Sequence, residues 1–262
     1  MKITLFTTSQ SRHNYLINLL SNSCKELFVV QENRTVSGNV PDHYTPSKIM
    51  QKYFGNVADA EKKIFGKSHT NFKNKNVHIL PLQSGDLCKH SVDSLSKFLR
   101  SDLYVVFGSS FIKGDLVNFL IKNKAINIHI GVSPYYRGTD CNFWALYDEN
   151  PHLVGSTIHM LSRGLDSGDI LYHALSQIKN NPYEYTMSTV KSAFHSLVEK
   201  IENETIFDIK RTTQNRKTEL RYSKKIHFTE EVVKNFLNKK INLGVKKFDK
   251  NLFLDPYILK SL

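Results

Sequence analysis

The sequence predicts an α/β protein built on a mostly parallel sheet covered by helices. Compact apolar runs recur at residues 2–6, 27–31, 77–82, 103–107 and 125–130. Segments of helix length separate them, and the runs are apolar on both faces, as strands covered on both sides require. About 105 of the 262 residues, 40%, are hydrophobic, enough to fill a sizeable core.

In chain order, the strand at 2–6 leads into a helix-like stretch at 13–20, and 27–31 supplies the next strand. A polar excursion rich in Lys and Asn covers 33–76. Within it Ser47 is placed to cap a helix bearing Ile49, Tyr53, Phe54, Val57 and Ile64 on one face. Such an excursion reads either as a source of substrate contacts or as an inert insertion. Strands at 77–82 and 103–107 follow, then an apolar helix over 115–121 and the strand at 125–130. Residues 143–147 have helical apolar character and read as core, with Trp144 alternatively a ring on which a ligand stacks. From residue 154 the pattern changes: 154–160 alternates apolar and polar, 170–178 does so less cleanly, and both read as paired or edge strands at one side of the sheet. Ser188 reads as the cap of a helix with Val190, Ala193, Phe194, Leu197, Val198 and Ile201 on one face. The remainder reads as a small accessory segment, helical over 229–237.

Charge is unevenly placed. The formal net charge is +12, and residues 210–250 hold 13 Lys or Arg against Glu219, Glu230, Glu231 and Asp249. This basic tail suits an anionic partner or a plain solvated surface, and it lacks the aromatic interleaving of a nucleic-acid motif. No apolar run reaches the length of a membrane span, and the first residues turn polar after Phe6, too early for a signal peptide. Cys24, Cys88 and Cys141 form neither a CxxC pair nor an even set, so a reducing, cytoplasmic setting is expected. GxGxxG, GxSxG and HExxH are absent, and Gly66-Lys67-Ser68 lacks the leading Gly of a P-loop because Glu61 stands there. The eleven His residues show no metal-ligand spacing, so no metal is expected.

Two constellations remain. Residues 125–138 read Ala-Ile-Asn-Ile-His-Ile-Gly-Val-Ser-Pro-Tyr-Tyr-Arg-Gly. Asn127 and His129, two apart on a strand, share one face near the C-terminal end, where open α/β sheets bind ligands. Polar groups there form either a site or a satisfied core hydrogen bond. The second is Asp166, set between Gly164 and Ser167-Gly168. It reads either as a turn former or as a carboxylate reaching His129.

Together, Asn127-Ile-His129, the Ser133 to Gly138 loop and the Gly-x-Thr-x-His-x6-Asp-x-Gly-x-Ile pattern of Gly155 to Ile170 resemble the formyltransferases dependent on 10-formyltetrahydrofolate. The resemblance covers 1–205, with its motifs between 103 and 172. It departs from the family's pattern at Ile130, where many members have Pro, and at Val132-Ser133, where Leu-Leu is common. It implies the Rossmann-like formyltransferase fold, with a catalytic domain over 1–205 and a basic accessory segment over 206–262. It implies Asn127, His129 and Asp166 as catalytic residues: Asn127 a donor to the developing oxyanion, His129 a donor or acid/base group, and Asp166 orienting the imidazole. Gly108, Ser109, Ser110, Phe111 and Ile112, with the backbone of Arg163, Gly164 and Leu165, are the implied binding residues for the 10-formyltetrahydrofolate co-substrate. Tyr135, Tyr136, Arg137 and Gly138 are the implied acceptor contacts. The loops most resemble the branch that N-formylates dTDP- or GDP-linked amino-dideoxy sugars (of the GDP-perosamine type) for O-antigen and related lipopolysaccharide. Such an enzyme is expected to be a homodimer with small-molecule partners, free of membrane and nucleic acid. The alternatives are glycinamide ribonucleotide formylation, initiator methionyl-tRNA formylation, and an inactive folate- or nucleotide-binding module.

Overall fold

The computed structural model describes residues 1–33, 47–67, 74–244 and 249–259. Much of the 33–76 excursion, namely 34–46 and 68–73, lies outside the described residues, as does 245–248 of the basic tail.

The elements run β1 (Lys2–Thr8), α1 (Ser11–Asn22), β2 (Glu26–Asn33), α2 (Lys48–Phe65), β3 (Val77–Gln83), β4 (Leu103–Val106), α3 (Gly114–Lys122) and β5 (Ile126–His129). They continue with β6 (Tyr136–Gly138), α4 (Cys141–Tyr147), β7 (Ser156–Met160), β8 (Ile170–Ser176), α5 (Pro182–Glu202), β9 (Arg221–Ser223), α6 (Glu230–Asn238) and β10 (Tyr257–Leu259). Eight strands form one sheet in the order β10-β8-β7-β5-β4-β1-β2-β3, and β6 pairs with β9 in a second, two-stranded sheet. Within the large sheet only β7 runs against the others. The mostly parallel α/β architecture is the one the sequence predicts.

Strand period sorts the core into two faces. Ile3, Leu5 and Val105 pack beneath α1 and α5, against Leu16, Leu20, Phe194 and Leu197. Phe6, Tyr104 and Val106 face the other way, onto Leu116, Val117 and Leu120 of α3. A third cluster joins α2, α4 and α6 through Tyr53, Phe143, Trp144, Val233 and Phe236. Trp144 is core, as expected, with the Arg221 guanidinium 4.4 Å above its ring.

Ser47 caps α2 as expected, its Oγ accepting from Met50 N at 3.3 Å. The helix around Val190 differs: α5 starts at Pro182, with Asn181 accepting from Tyr183 N and Glu184 N at 2.9 and 3.2 Å, and Ser188 is buried inside it. An Asn cap followed by Pro at the first helical position satisfies the free N–H groups about two turns earlier than a cap at Ser188 would. The described residues of 206–262 are joined to the rest of the fold. They do not stand apart, because β10 extends the large sheet alongside β8, β9 pairs with β6, and Val233, Phe236 and Phe253 belong to the shared core. No helix among the described residues is long and apolar enough to cross a membrane.

Candidate active site

The cleft of about 670 Å³ lies at the C-terminal ends of β1, β4 and β5. Asn127 and His129 project into it from β5, one strand repeat apart. Antiparallel pairing sets His159 of β7 directly opposite Asn127, and Thr157 opposite His129. Directly opposed residues share a face, so Asn127 and His159 meet. His159 Nδ1 donates to Met160 O at 2.8 Å, which leaves its Nε2 lone pair to accept from Asn127 Nδ2 at 3.0 Å. Thr157 Oγ1 donates to Gly131 O and accepts from Ser133 N at 2.6 and 2.9 Å, fixing the loop that leaves β5.

Asp166 arrives on the turn between β7 and β8 in the left-handed region, with φ +46°. Its Oδ1 lies 3.3 Å from His129 Nδ1, 3.4 Å from Asn127 Nδ2 and 3.7 Å from His159 Nε2, and its Oδ2 accepts from Gly138 N at 3.3 Å. The structure thus brings Asn127, His129 and Asp166 together, and adds His159. Gly168 makes the turn possible, because a Cβ there would sit 1.7 Å from Met160 O.

Both ring nitrogens of His129 face acceptors: Nδ1 the Asp166 carboxylate, and Nε2 the Tyr136 carbonyl at 3.2 Å. Burial opposes a charge here, but the adjacent carboxylate more than offsets it and holds the imidazole well above its ordinary range. Burial likewise works against the Asp166 charge, yet His129 more than offsets it and holds that carboxyl below the usual range. Both ring nitrogens are thus placed to donate, a geometry that suits an imidazolium beside a carboxylate.

Gly108, Ser109, Ser110, Phe111 and Ile112 line the cleft, as do Gly164 and Leu165. Phe111 is exposed at its edge. Arg163 does not line it, since its guanidinium leaves the cleft to donate to Asn118 Oδ1 of α3 at 3.2 and 2.9 Å. Glu32, buried at the end of β2, accepts from Gly85 N and Ser110 Oγ at 2.8 Å and from Ser110 N at 2.6 Å, so it clasps the loop after β4. His13 packs beneath Gly108, whose φ is +68° and whose added Cβ would lie 2.6 Å from His13 Cε1. His13 Nε2 is buried without a hydrogen-bond partner.

The expected acceptor contacts are mostly corrected. Tyr136 is buried, its hydroxyl donating to Asp148 Oδ2 at 3.3 Å and accepting from Asn150 Nδ2 at 2.8 Å. Arg137 is buried too: Nε and Nη2 donate to the carbonyls of Asp166 and Leu165 at 3.0 and 2.8 Å, and Nη1 meets Glu219 Oε2 at 2.8 Å. The Tyr135 carbonyl anchors Leu220 N and Arg221 N at 2.9 and 3.0 Å, and its side chain does not line the cleft. Only Gly138 of the four lines the cleft. Its φ is +95°, and a Cβ would lie 1.9 Å from Ser223 O. This loop is a brace that holds Asp166.

Glu32, His13, Glu219 and Asp140, another cleft-lining residue, were given no site role from sequence, and His159 entered only as the His of the Gly155 to Ile170 pattern. The alternation of 154–160 put Thr157 and His159 on the same strand face. Their partners depend on register, which alternation does not specify.

A doubly wound sheet with a polar cluster and cleft at its strands' C-terminal ends defines a ligand-binding α/β protein of the Rossmann-like class. The family model of the formyl transferases matches residues 1–206, and this chain belongs to that family. Over 155 residues it is 25% identical to a methionyl-tRNA formyltransferase of Prochlorococcus marinus, a match covering 58% of this chain and 46% of that protein. A similar match to the methionyl-tRNA formyltransferase of Trichormus variabilis spans 30% of its length, so each match takes in less than half of the curated relative. Among solved structures the fold is shared with a 4-N formyltransferase from Francisella tularensis (18% identical, TM-score 0.52, covering 87% of this chain and 78% of that one). It is also shared with an N-formyltransferase from Helicobacter canadensis in complex with folinic acid and dTDP-3-aminofucose (14% identical, TM-score 0.51, 90% and 79% covered). A phosphoribosylglycinamide formyltransferase from Anaplasma phagocytophilum is similar as well (14% identical, TM-score 0.50, 77% and 85% covered).

Proposed function

We propose that this protein is an N-formyltransferase that moves a formyl group from 10-formyltetrahydrofolate to the primary amine of a dTDP- or GDP-linked amino-dideoxy sugar, in surface polysaccharide synthesis. Family membership supports the chemistry. The single observation that carries it is the meeting of Asn127, His129 and Asp166 on the wall of one cleft.

The cleft fits the formyl donor. It is about 670 Å³, edged by the exposed ring of Phe111, walled by Gly108 to Ile112 on one side and Gly164-Leu165 on the other, and it ends at Asn127 and His129. When bound, that co-substrate supplies an activated formyl carbon. Attack by an amine puts negative charge on the formyl oxygen, so the site needs donors already in place. Asn127 offers an N–H held only loosely, 3.4 Å from Asp166. His129 offers a fixed positive charge, kept in place by Asp166.

The Helicobacter enzyme, with its nucleotide-sugar ligand, supports the sugar acceptor. The matches to methionyl-tRNA formyltransferases and the basic tail favour a second reading, tRNA formylation. Two observations weigh against it. Part of the tail's charge is spent internally, Arg221 on Asp148 at 2.6 Å and Lys239 on Glu149 at 2.7 Å, and its strands complete the sheets of the catalytic unit. The domain division that follows is a formyltransferase unit over 1–205 completed by 206–262. The purified protein, given 10-formyltetrahydrofolate, is tested against dTDP-, GDP- and UDP-amino sugars, glycinamide ribonucleotide and methionyl-tRNA. Mass spectrometry should find formyl on a nucleotide sugar. Formyl on methionyl-tRNA or glycinamide ribonucleotide alone overturns the sugar reading.

A further inference from the structure

A second cavity, of about 380 Å³, adjoins the cleft. Its walls include the rings of Tyr53, Phe54, Phe143, Tyr183 and Phe236. Gln10, Arg12, Ile130 and Asp140 line both spaces and form the passage between them.

Two groups in that passage have hydrogen-bonding capacity to spare. Arg12 binds Glu61 through Nη1 at 2.6 Å and its backbone N at 2.9 Å, while its buried Nε has no partner. Asp140 stands at φ +57° just before α4, makes no capping bond to that helix, and is exposed to the space of the cleft. The other carboxylates lining these cavities are committed: Glu32 to Gly85 and Ser110, Glu61 to Arg12, and Asp166 to His129 and Gly138.

Asp140 is also close to the reacting end of the cleft. Its neighbour Cys141 packs across Gly131 from His129: a Cβ on Gly131 would lie 2.5 Å from Cys141 Cβ and 2.6 Å from His129 Nε2. A primary amine on a sugar arrives at neutral pH largely as ammonium and needs a proton acceptor before it can attack. His129, with both nitrogens turned to acceptors inside the protein, is poorly placed to serve.

We infer that the second cavity holds the amine-bearing ring of the acceptor, that Arg12 Nε–H binds an oxygen of that ring, and that the Asp140 carboxylate takes the proton from its ammonium. The inference rests on the formyl-transfer reading above. The aromatic walls suit a ring with a deoxygenated, apolar face, and they attract its cationic group. One proton passes from the ammonium to Asp140 and on to solvent. The freed lone pair makes the new N–C bond and moves a C=O electron pair onto the formyl oxygen; that pair then returns as the C–N bond to the donor breaks. The second proton lost by the attacking nitrogen equals the one gained by the departing nitrogen.

Desolvation by the surrounding walls raises the Asp140 carboxyl above its usual range, although its side chain opens to the cleft and a hydrogen bond with Thr139 and the pull of Lys225 oppose the rise; this makes it a better proton acceptor. The titratable groups around it are Tyr53 from α2, Lys225 after β9, and Arg12 with Glu61 across the passage.

The test measures kcat/KM from about pH 6 to 9 for the amine that the wild-type protein formylates best, in wild type, Asp140→Asn and Ala58→Trp. Asn tolerates the left-handed backbone at 140, and Ala58 lines the second cavity from an exposed position on α2. Asp140→Asn should lose roughly 100-fold at neutral pH and regain about tenfold per pH unit, as the free amine fraction rises. Ala58→Trp should raise KM for the amine about tenfold or more and leave KM for the formyl donor unchanged. A loss in Asp140→Asn that is equal at every pH, or no loss, overturns the proton role. An unchanged amine KM in Ala58→Trp overturns the placement of the ring. Wild-type protein that formylates no amine sinks the formyl-transfer reading itself, whereas wild-type activity with the failures just named sinks only this inference.

Discussion

His129 Nδ1 and Asp166 Oδ1 lie 3.3 Å apart, both side chains less than a tenth exposed, and each sets the charge of the other. The His129 pKa is raised, so its contribution to stability is complete below its ordinary value of about 6.5 and is lost as pH rises through the higher folded value. The Asp166 pKa is lowered, so its contribution is complete above about 3.9 and is lost as pH falls through the lower folded value. Between these limits the pair supports the fold. Asp166→Asn should cost about 3–5 kcal/mol in urea unfolding at neutral pH. It should also move the alkaline limb of the pH–rate profile toward neutrality. If the profile of the variant overlays that of the wild type, His129 does not work as an imidazolium.

Asn127→Ala removes one donor from the wall of the cleft. With chemistry limiting, kcat should fall about 10²- to 10³-fold. Binding of an unreactive folate, followed by calorimetry, should be unchanged, because the residue does not belong to the loop that Glu32 clasps. A matched loss of folate affinity would make Asn127 a binding group.

Arg137→Ala should unseat Asp166 without touching any ligand. The guanidinium holds the carbonyls of Leu165 and Asp166 and pairs with Glu219, so its loss should destabilise by about 3–5 kcal/mol and depress kcat together. Arg137→Lys should rescue little, since an ammonium lacks the planar fork that reaches three partners. Full rescue by Lys would mean that charge alone holds the turn.

Glu32→Gln keeps the shape of the clasp but halves its acceptors toward Gly85 and Ser110. Charged hydrogen bonds of this kind are worth about 1.5–3 kcal/mol, so KM for the formyl donor should rise roughly tenfold or more. KM for the amine should stay put. Equal rises in both would place the effect on the fold and not on the loop.

Cutting the chain after residue 205 should abolish cooperative unfolding. The cut removes β10 from the edge of β8, β9 from β6, and Val233, Phe236 and Phe253 from the core around Tyr53 and Phe143. A fragment that unfolds with a single sharp transition, followed by circular dichroism, would show that 206–262 is dispensable.

The sheet was legible because its evidence is local. Runs such as Leu103 to Phe107 are apolar at every position, and only a strand covered on both faces buries them all. The common face of Asn127 and His129 followed from their spacing of two, and the Ser47 cap from its position before a helical stripe. The start of α5 was missed because Asn181-Pro182 precedes the apolar stripe that drew attention to Ser188.

The rest rests on pairings across long stretches of chain. The two-residue spacing says that Asn127 and His129 point one way, but only the register of β5 against β7 sets His159 beside Asn127. Tyr136 and Arg137 look like ligand contacts in a loop; the structure turns them inward because a guanidinium satisfies two buried carbonyls and a carboxylate at once. The segment 206–259 looks like an appendage until β10 returns to the sheet edge. Amino-acid order alone determined the class of fold and one face of the site, since strand and helix periods are properties of neighbouring residues. Tertiary packing decided which partners complete that site, the charge His129 carries and where the chain's last strands go. Those depend on burial and hydrogen bonding summed over the whole molecule.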